Sequence, residues 1–164
     1  MDGKTYPWSQ KRVLVTGGAS FIGSTLVDAL VGRGASVRIV DDFSSGTMEN
    51  IRHVVEDGSV ELVQGDLRDP LVARRALADR DIVFHLAADH GGRGYVDLHQ
   101  WACSTNLGLD ATVFRAAVDA GVHKIVYASS GCVYPLFLQA DPGTTLYLTE
   151  DMVAAPGYDP DGMY

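Results

Sequence analysis

A glycine-rich turn, VTGGASFIGS at residues 15–24, contains the residues with the clearest chemistry. Gly17 and Gly23 lie between a short β-branched run and a segment of helical spacing, where glycines permit a tight turn and close packing of helix on strand. A dinucleotide pyrophosphate would bind at the N-terminus of that helix, held by backbone N–H groups and the helix dipole. Asp41, about twenty residues further on, can accept both hydroxyl hydrogens of an adenosine ribose and would repel a 2′-phosphate, which favours NAD over NADP. The alternative is a glycine turn followed by a solvated acid at a strand end.

The elements that must position this turn alternate along the chain. Short apolar runs predict strands at 12–16, 36–41, 59–66, 81–88 and 123–130. Segments of helical spacing predict helices that follow the glycine turn and lie at 47–58, 69–77 and, for the most part, 96–120. Such alternation requires a parallel sheet with helices on both faces, and right-handed crossovers give the order 3-2-1-4-5. The predicted fold is a Rossmann-type, doubly wound α/β sheet.

Ligands of such a sheet bind at the carboxyl ends of its strands. The candidate residues at those ends are Gly17, Asp41, Asp66, Ala88 and Ser130. Beyond residue 134 the chain is rich in proline and has no long periodic run. We therefore expect an NAD-binding domain at 1–134 and an irregular segment at 135–164, of a kind that is often functional.

The composition limits the classes of partner. The chain has 164 residues, of which 46% are hydrophobic and 21% charged, and its formal net charge is −8. Because it has no run of Lys or Arg, this acidic balance argues against nucleic acid or an anionic membrane. No stretch approaches about 18 consecutive apolar residues and no secretory signal is evident, so we expect a soluble cytoplasmic protein. With only Cys103 and Cys132, we expect reduced thiols, and we expect no metal site.

Six motifs in order resemble the extended short-chain dehydrogenase/reductase family: TGGASFIGS, VDDFSSG, GDLRD, HLAA, the asparagine of STNLGLDA, and YASSGCVYP. The resemblance implies that Asp66 and Leu67 flank the adenine, that Asp42 and residues 44–46 wrap the ribose, and that Asn106 braces the active site. The cofactor-binding residues expected on these grounds are Gly17, Ser20, Phe21, Ile22, Gly23, Asp41, Asp42, Ser44, Gly46, Asp66, Leu67, Leu86, Ala87, Ala88 and Asn106.

Ser20 departs from the family pattern, which has glycine at this position. A glycine there lets the backbone approach the pyrophosphate. We therefore expect the serine either to weaken NAD binding or to donate its hydroxyl hydrogen to a phosphate oxygen.

The family places its chemistry on a serine or threonine after the fifth strand and on a tyrosine four residues before a lysine. Ser130 and Tyr164 match the first two. In the family, the ammonium and the nicotinamide charge lower the phenol pKa, so that the phenolate takes a sugar hydroxyl proton as hydride leaves for NAD. The lysine and a substrate domain would follow residue 164, so we expect this chain to be the front part of an enzyme and to be inactive alone.

Two further segments, HLAADHGGRG and YASSGCVYPLF, resemble the GDP-mannose 3,5-epimerase subfamily. The resemblance implies that Cys132 is the base that removes a proton at C3 or C5 of a 4-keto sugar, a role that suits an easily lowered thiol pKa. It also places Gly92 and Ser130 against the sugar. His90 and Arg93 stand where we expect methionines, so a substrate that carries a carboxylate is an alternative.

Several alternatives stay open from the sequence. Cys132 could be a small packed hydrophobe and Arg93 a solvated loop residue. A UDP-sugar 4-epimerase would need no Cys132, and a 4,6-dehydratase of the same family is less favoured because Gly131 and Cys132 replace its acidic pair. A different class is a non-catalytic NAD-binding module. The resemblance also implies a homodimer.

Overall fold

Five parallel strands form the central sheet in the computed structural model of the chain, which describes residues 6–91, 93–130, 134, 143 and 145–154. The strands are β1 Arg12–Thr16, β2 Ser36–Asp41, β3 Val60–Gln64, β4 Ile82–His85 and β5 Lys124–Tyr127. Their order is β3-β2-β1-β4-β5, and every pairing is parallel. The predicted order is confirmed. The chain divides into two units, Met1–Ala128 and Ser129–Tyr164, and the sheet belongs to the first.

The described residues include six α-helices, which lie between successive strands as predicted, three of them between β4 and β5. They are α1 Phe21–Val31, α2 Met48–Glu56, α3 Pro70–Leu77, α4 Arg93–Leu98, α5 Gln100–Ser104 and α6 Asn106–Asp119. Short 3-10 helices lie at Trp8–Gln10 and, in the second unit, at Glu150–Ala154. Asp69 begins α3 as expected of an N-cap, because its carboxylate accepts the Leu71 N–H with Pro70 just inside.

The helices cover both faces of the sheet. Successive residues of a strand point to opposite faces, so Leu14 packs in one core cluster and its neighbours Val13 and Val15 pack in the other. Helices α3 and α6 cover the Leu14 face, and α1 and α2 cover the opposite face. This is the predicted doubly wound arrangement. Cys103 of α5 is a free thiol.

The last three strands end earlier than the sequence predicts. The N–H groups of Leu86 and Ala87 turn to the Thr16 hydroxyl, so the β4 ladder stops at His85 instead of residue 88. The edge strands β3 and β5 each have one neighbour, and each ends where that neighbour ends. The residues between the observed and the predicted strand ends therefore lie in loops, where they can contact a ligand.

The segment predicted as mostly helical from Val96 to Ala120 is helical in three pieces, with breaks at His99 and Thr105. Side chains compete for the backbone near the second break, because the Ser104 and Thr105 hydroxyls donate to the carbonyls of Trp101 and Ala102, each at 2.7 Å. The predicted end is confirmed: Gly121 has φ 70° and closes α6. Within the described parts of the chain, no helix is long and apolar enough to cross a membrane.

Candidate cofactor site

The carboxyl ends of four neighbouring strands open onto a cleft of about 160 Å³. It lies where the order of the sheet reverses between β1 and β4, the position at which doubly wound sheets bind ligands. Of the predicted cofactor-binding residues, those that line the cleft are Gly17, Ser20, Asp41, Asp42, Ser44, Asp66, Leu67, Leu86, Ala87, Ala88 and Asn106. Their positions fit the predicted role, which stays a prediction.

The glycine turn brings three loops together. Gly17 has φ 66°, a conformation that other residues rarely adopt, and a Cβ on it would lie 3.1 Å from the Ala87 backbone. A Cβ on Gly23 would lie 2.1 Å from the Gly17 oxygen, so only glycine fits there. The Phe21 and Ile22 side chains are 85% and 68% exposed and do not line the cleft. What these residues offer a ligand is therefore their backbone N–H groups, which have no acceptor within the first turn of α1.

Ser20 fits this turn without backbone strain. Its φ of −81° and ψ of 174° are extended values open to any residue, so glycine is not required for conformation. Its hydroxyl donates to the Gly17 oxygen at 2.6 Å. The hydroxyl hydrogen that the sequence offered to a phosphate is therefore used inside the turn.

Asp41 joins the second loop to the glycine turn. Its buried carboxylate accepts the N–H groups of Ala19 and Phe43, each at 2.9 Å. A carboxylate has about four acceptor positions, so each oxygen keeps one for a further donor, such as a ribose hydroxyl. Gly46 packs against this corner, since a Cβ on it would lie 2.9 Å from Ala19 and from Asp41 Oδ1.

Asn50, a residue that sequence reasoning missed, holds the same corner from α2. Its side-chain amide donates to the Ala19 oxygen at 2.8 Å, next to the Thr47 N–H at 3.1 Å. Nothing in the local sequence distinguishes Asn50 from a solvated helix residue. Asp42 instead binds within its own loop, where Oδ1 accepts the N–H and the hydroxyl of Ser44.

Arg68 connects the loop after β3 to the other side of the cleft, and sequence reasoning missed this residue too. The Arg68 guanidinium donates to the Asp66 carboxylate at 2.9 Å and to the Thr105 hydroxyl at 3.1 Å. This contact lowers the pKa of Asp66 and raises that of Arg68. The motif GDLRD contains both residues, but the partner Thr105 lies too far along the chain to be read from it.

Asn106 holds the loop after β4. Its amide oxygen accepts the Asp89 N–H at 2.8 Å, and its amide nitrogen donates to the Asp89 oxygen at 2.9 Å. Asn106 therefore contacts the backbone of this loop, and its bracing of the active site stays a prediction. The Asp89 carboxylate accepts the Tyr95 hydroxyl at 2.8 Å, which raises the pKa of that phenol. His90 lines the cleft beside them.

The predicted catalytic and sugar-binding residues lie only partly within the described residues. Gly92, Cys132 and Tyr164 lie outside the described residues. Arg93 begins α4, and Ser130 belongs to the second unit. Their roles stay predictions. Within the described ranges, no group of three or more His, Cys, Asp or Glu side chains is arranged to hold a metal ion.

The residues of the cleft fit NAD. The glycine turn leaves the space that a Cβ would fill, the start of α1 offers N–H groups to an anion, and Asp41 keeps acceptor positions for a diol. Two carboxylates, Asp41 and Asp42, line the same cleft, where their charge would disfavour the 2′-phosphate of NADP.

Comparisons with known proteins agree with this fit. Residues 13–159 match the model of the NAD dependent epimerase/dehydratase family. The chain is 40% identical over 121 residues to a UDP-glucose 4-epimerase of Mycolicibacterium smegmatis, covering 73% of this chain and 39% of that protein. It is 34% identical over 125 residues to a UDP-N-acetyl-alpha-D-glucosaminuronate decarboxylase of Bacillus cytotoxicus, covering 76% and 38%.

A similar solved structure is a UDP-glucose 4-epimerase from Stenotrophomonas maltophila with bound NAD and formylated UDP-arabinopyranose. It has a TM-score of 0.68 and 29% identity, and the match covers 77% of this chain and 39% of that one. The chain thus spans about two fifths of the length of these relatives.

The expected family and its cofactor, NAD, are confirmed by these matches. The relatives bear the names of UDP-sugar enzymes, not of GDP-mannose 3,5-epimerases. With a family match that spans residues 13–159 and a sheet of the expected order, this chain belongs to the NAD-dependent epimerase/dehydratase family.

Proposed function

We propose that the protein containing this chain is an NAD-dependent nucleotide-sugar epimerase that works through a 4-keto sugar. The observation that carries the proposal is the corner formed by Asp41 and the glycine turn, which fits an adenosine diphosphate while leaving Asp41 acceptors open. The cleft continues past Ala88 to Asp89 and His90, away from the ribose end, where a sugar substrate would approach.

The proposed mechanism gives each group of residues one task. Backbone N–H groups at the start of α1 bind the pyrophosphate, and Asp41 orients the adenosine ribose. NAD bound in this way would supply the acceptor for hydride from the sugar C4 and the source of its return. Tyr164 takes the proton of the C4 hydroxyl, and Ser130 donates a hydrogen bond to the oxygen that becomes the ketone. Tyr164 needs a neighbouring cation to lower its pKa, and the family supplies a lysine for this.

The substrate that the relatives favour is a UDP-sugar, whose C4 centre would be inverted after the keto sugar rotates in the site. This is the 4-epimerase alternative. One relative acts by name on a uronate, and His90 in the cleft with Arg93 at the start of α4 would suit a substrate carboxylate. A carboxylated UDP-sugar is therefore included in the proposed substrate class.

A second candidate is 3,5-epimerisation of a GDP-mannose-type substrate, favoured by Cys132 two residues after Ser130. The C3 and C5 hydrogens are acidified by the C4 ketone, and a Cys132 thiolate removes one of them. An acid on the opposite face returns a proton and inverts the centre. Simple 4-epimerisation makes no use of this thiol.

We further propose that the protein forms a homodimer through α6. Leu107, Phe114 and Val118 lie on one face of this helix and are exposed. A second copy would bury that face. Sedimentation should show Val118→Asp shifted to monomer, whereas Leu71→Asp, at an exposed leucine of α3, should stay dimeric. A wild-type monomer would contradict the dimer.

Solvent deuterium separates the two chemistries. The full-length protein with NAD is incubated in D₂O with UDP-glucose, a UDP-uronate or GDP-mannose, and the sugar protons are followed by NMR. Inversion at C4 without deuterium supports the 4-epimerase, because hydride returns internally. Deuterium at C3 or C5 that is lost in Cys132→Ala but kept in Cys103→Ala supports the thiol base. If NAD binds but no sugar reacts, including a UDP-uronate, the enzyme proposal fails and a non-catalytic module is supported.

A further inference from the structure

A continuous row of polar side chains leads from the cofactor cleft through the sheet to the surface. It consists of Thr16, His85, Asp110 and Tyr127, which lie on β1, β4, α6 and β5. Thr16 and His85 are 0% and 1% exposed, and their polar atoms are all hydrogen-bonded. Burying polar side chains this deeply costs free energy unless each of their donors and acceptors has a hydrogen-bond partner. The direction of each hydrogen bond in the row can therefore be assigned from its neighbours.

Thr16 forms the inner end of the row. Its Oγ1 accepts the N–H groups of Leu86 and Ala87, both at 3.0 Å, which occupy its two lone pairs. The hydroxyl has one hydrogen, and His85 Nδ1 lies 2.7 Å away. Nδ1 therefore accepts that hydrogen and carries none of its own.

The remaining hydrogens follow. A neutral imidazole that accepts at Nδ1 carries its hydrogen on Nε2, and Asp110 Oδ1 lies 3.1 Å from Nε2 to accept it. The Tyr127 hydroxyl donates to Asp110 Oδ2 at 2.8 Å. Burial lowers the pKa of His85, so the ring stays neutral, while the bond to Asp110 raises the pKa of Tyr127. The donor and the acceptor of every hydrogen bond in the row are thus assigned.

The inner end of the row shapes the cleft. Leu86 and Ala87 line it, and the Ala87 backbone also lies against Gly17, where a Cβ would meet it at 3.1 Å. If the Thr16 hydroxyl turned toward either amide, that amide would lose its acceptor in a buried site. The loop after β4 and the glycine turn would then shift together.

We propose that His85 is a positioning residue for the cofactor: the Thr16 hydroxyl at Nδ1 and Asp110 at Nε2 together keep the ring in its Nε2–H form, and in that form it holds the Thr16 hydroxyl so that the Leu86–Ala87 loop keeps its shape at the cleft. The inference rests on the proposed function only in taking NAD as the ligand. A purely structural histidine would give stability without any effect on NAD affinity beyond that of unfolding.

The first test needs no cofactor. ¹⁵N NMR of the imidazole in the full-length protein should show His85 protonated at Nε2 and bare at Nδ1. Asp110→Ala, which removes the acceptor from outside the cleft, should give a mixture of the two forms. A wild-type ring protonated at Nδ1, or an unchanged ring in Asp110→Ala, would overturn the proposal. This result does not depend on whether NAD binds.

The second test measures NAD affinity by calorimetry in variants whose folding is checked by thermal melting. Thr16→Ser keeps the hydroxyl and should bind NAD as the wild type does, whereas Thr16→Val should bind about tenfold more weakly. Asp110→Ala should lose less, and Tyr127→Phe least. If Thr16→Val does not fold, Asp110→Ala carries the test. Equal NAD affinity in the wild type and in every folded variant of Thr16 and Asp110 would refute positioning, whereas no NAD binding by the wild type would refute the proposed function instead.

Discussion

The amino ends of the parallel strands, here called the amino edge of the sheet, use charged residues differently from the carboxyl ends, the carboxyl edge. At the amino edge, the Asp81 carboxylate accepts the backbone N–H and the guanidinium of Arg12, at 2.8 and 2.7 Å. Arg38 donates from Nη1 to the carbonyls of Arg75, Ala76 and Ala78, which end α3, and from Nε to Glu61. Each charge is used within the protein, and the last carbonyls of a helix are satisfied by a cation.

At the carboxyl edge the same kinds of group are only partly used. Asp41 accepts two N–H groups and keeps two acceptor positions. The first N–H groups of α1, which follow Ser20 at the cleft, have no intrahelical partners. The comparison teaches that charge alone does not mark a binding site. What marks it is hydrogen-bonding capacity left over after the fold has been built.

The comparison predicts that carboxyl-edge changes alter NAD binding and amino-edge changes alter stability. The largest effect is expected from Gly23→Ala, because its Cβ would lie 2.1 Å from the Gly17 oxygen. The turn must open, which should cost about 3 kcal/mol of unfolding free energy and weaken NAD binding about 100-fold or more. Urea unfolding and calorimetry measure the two losses.

Gly108→Ala is the matched control, since a Cβ there meets nothing within 4 Å. In α6 it should stabilise the protein by up to about 1 kcal/mol and leave NAD binding unchanged. Equal behaviour of the two alanine variants would remove the glycine turn from the cofactor site.

The next largest effect lies at the amino edge. Arg38→Met keeps the apolar stem of the side chain but leaves the Arg75 and Ala76 carbonyls and Glu61 without the Arg38 donor, whereas the Ala78 carbonyl keeps the Arg80 Nε–H at 3.2 Å. We expect a loss of about 3 kcal/mol in urea unfolding, with NAD affinity within about twofold of the wild type wherever the variant is folded. Arg33→Met, which loses one exposed bond to the Ala29 oxygen, should cost less than about 0.5 kcal/mol. A folded Arg38→Met protein with weakened NAD binding would break the division between the edges.

Sequence reasoning predicted the carboxyl edge better than the amino edge, for a physical reason. Strand and helix periodicities are local, and parallel alternation then fixes the order of the sheet and puts Gly17 and Asp41 at one edge. The cofactor is a partner of known chemistry, so the residues that contact it carry a recognisable pattern. Arg38 has no such pattern, because its acceptors are backbone carbonyls that any sequence provides.

The site residues that sequence reasoning missed bind partners that lie far along the chain. Arg68 reaches Thr105, and Asn50 reaches Ala19, across loops whose approach is set only by the packed sheet. The breaks in the segment 96–120 likewise depend on side chains that turn back to the helix backbone, which periodicity does not detect. Ser20 was read as a departure from glycine, yet its extended backbone makes serine acceptable.

A smaller effect should follow from Asp41→Asn. Each Asp41 oxygen accepts one backbone N–H, from Ala19 or from Phe43. In the asparagine variant an NH₂ group replaces one of these oxygens, so one backbone N–H faces a second donor and loses its acceptor. NAD affinity should fall about tenfold, and the preference over NADP should narrow because a negative charge is lost. Asp42→Asn removes the same charge but can keep its amide oxygen on Ser44, so it should weaken NAD binding by less. The reverse order in calorimetry would move the ribose site from Asp41 to Asp42.

The smallest effect separates the two edges by pH. Burial lowers the pKa of His85 below its ordinary value of 6.5. Below pH 6.5 the unfolded chain therefore binds the proton more readily than the folded protein does, and the free energy of unfolding decreases as the pH is lowered. The hydrogen bonds from Arg12 lower the pKa of Asp81 below its ordinary value of 3.8. Its contribution to the free energy of unfolding is therefore present above pH 3.8 and is lost as the pH falls from there toward the pKa in the folded protein. The His85→Gln variant should flatten the wild-type curve just below pH 6.5, and Asp81→Asn should flatten it only below about pH 4. If His85→Gln instead changed the curve only above pH 6.5, the histidine would be charged in the folded protein, and the carboxyl edge would hold its buried charge as the amino edge does.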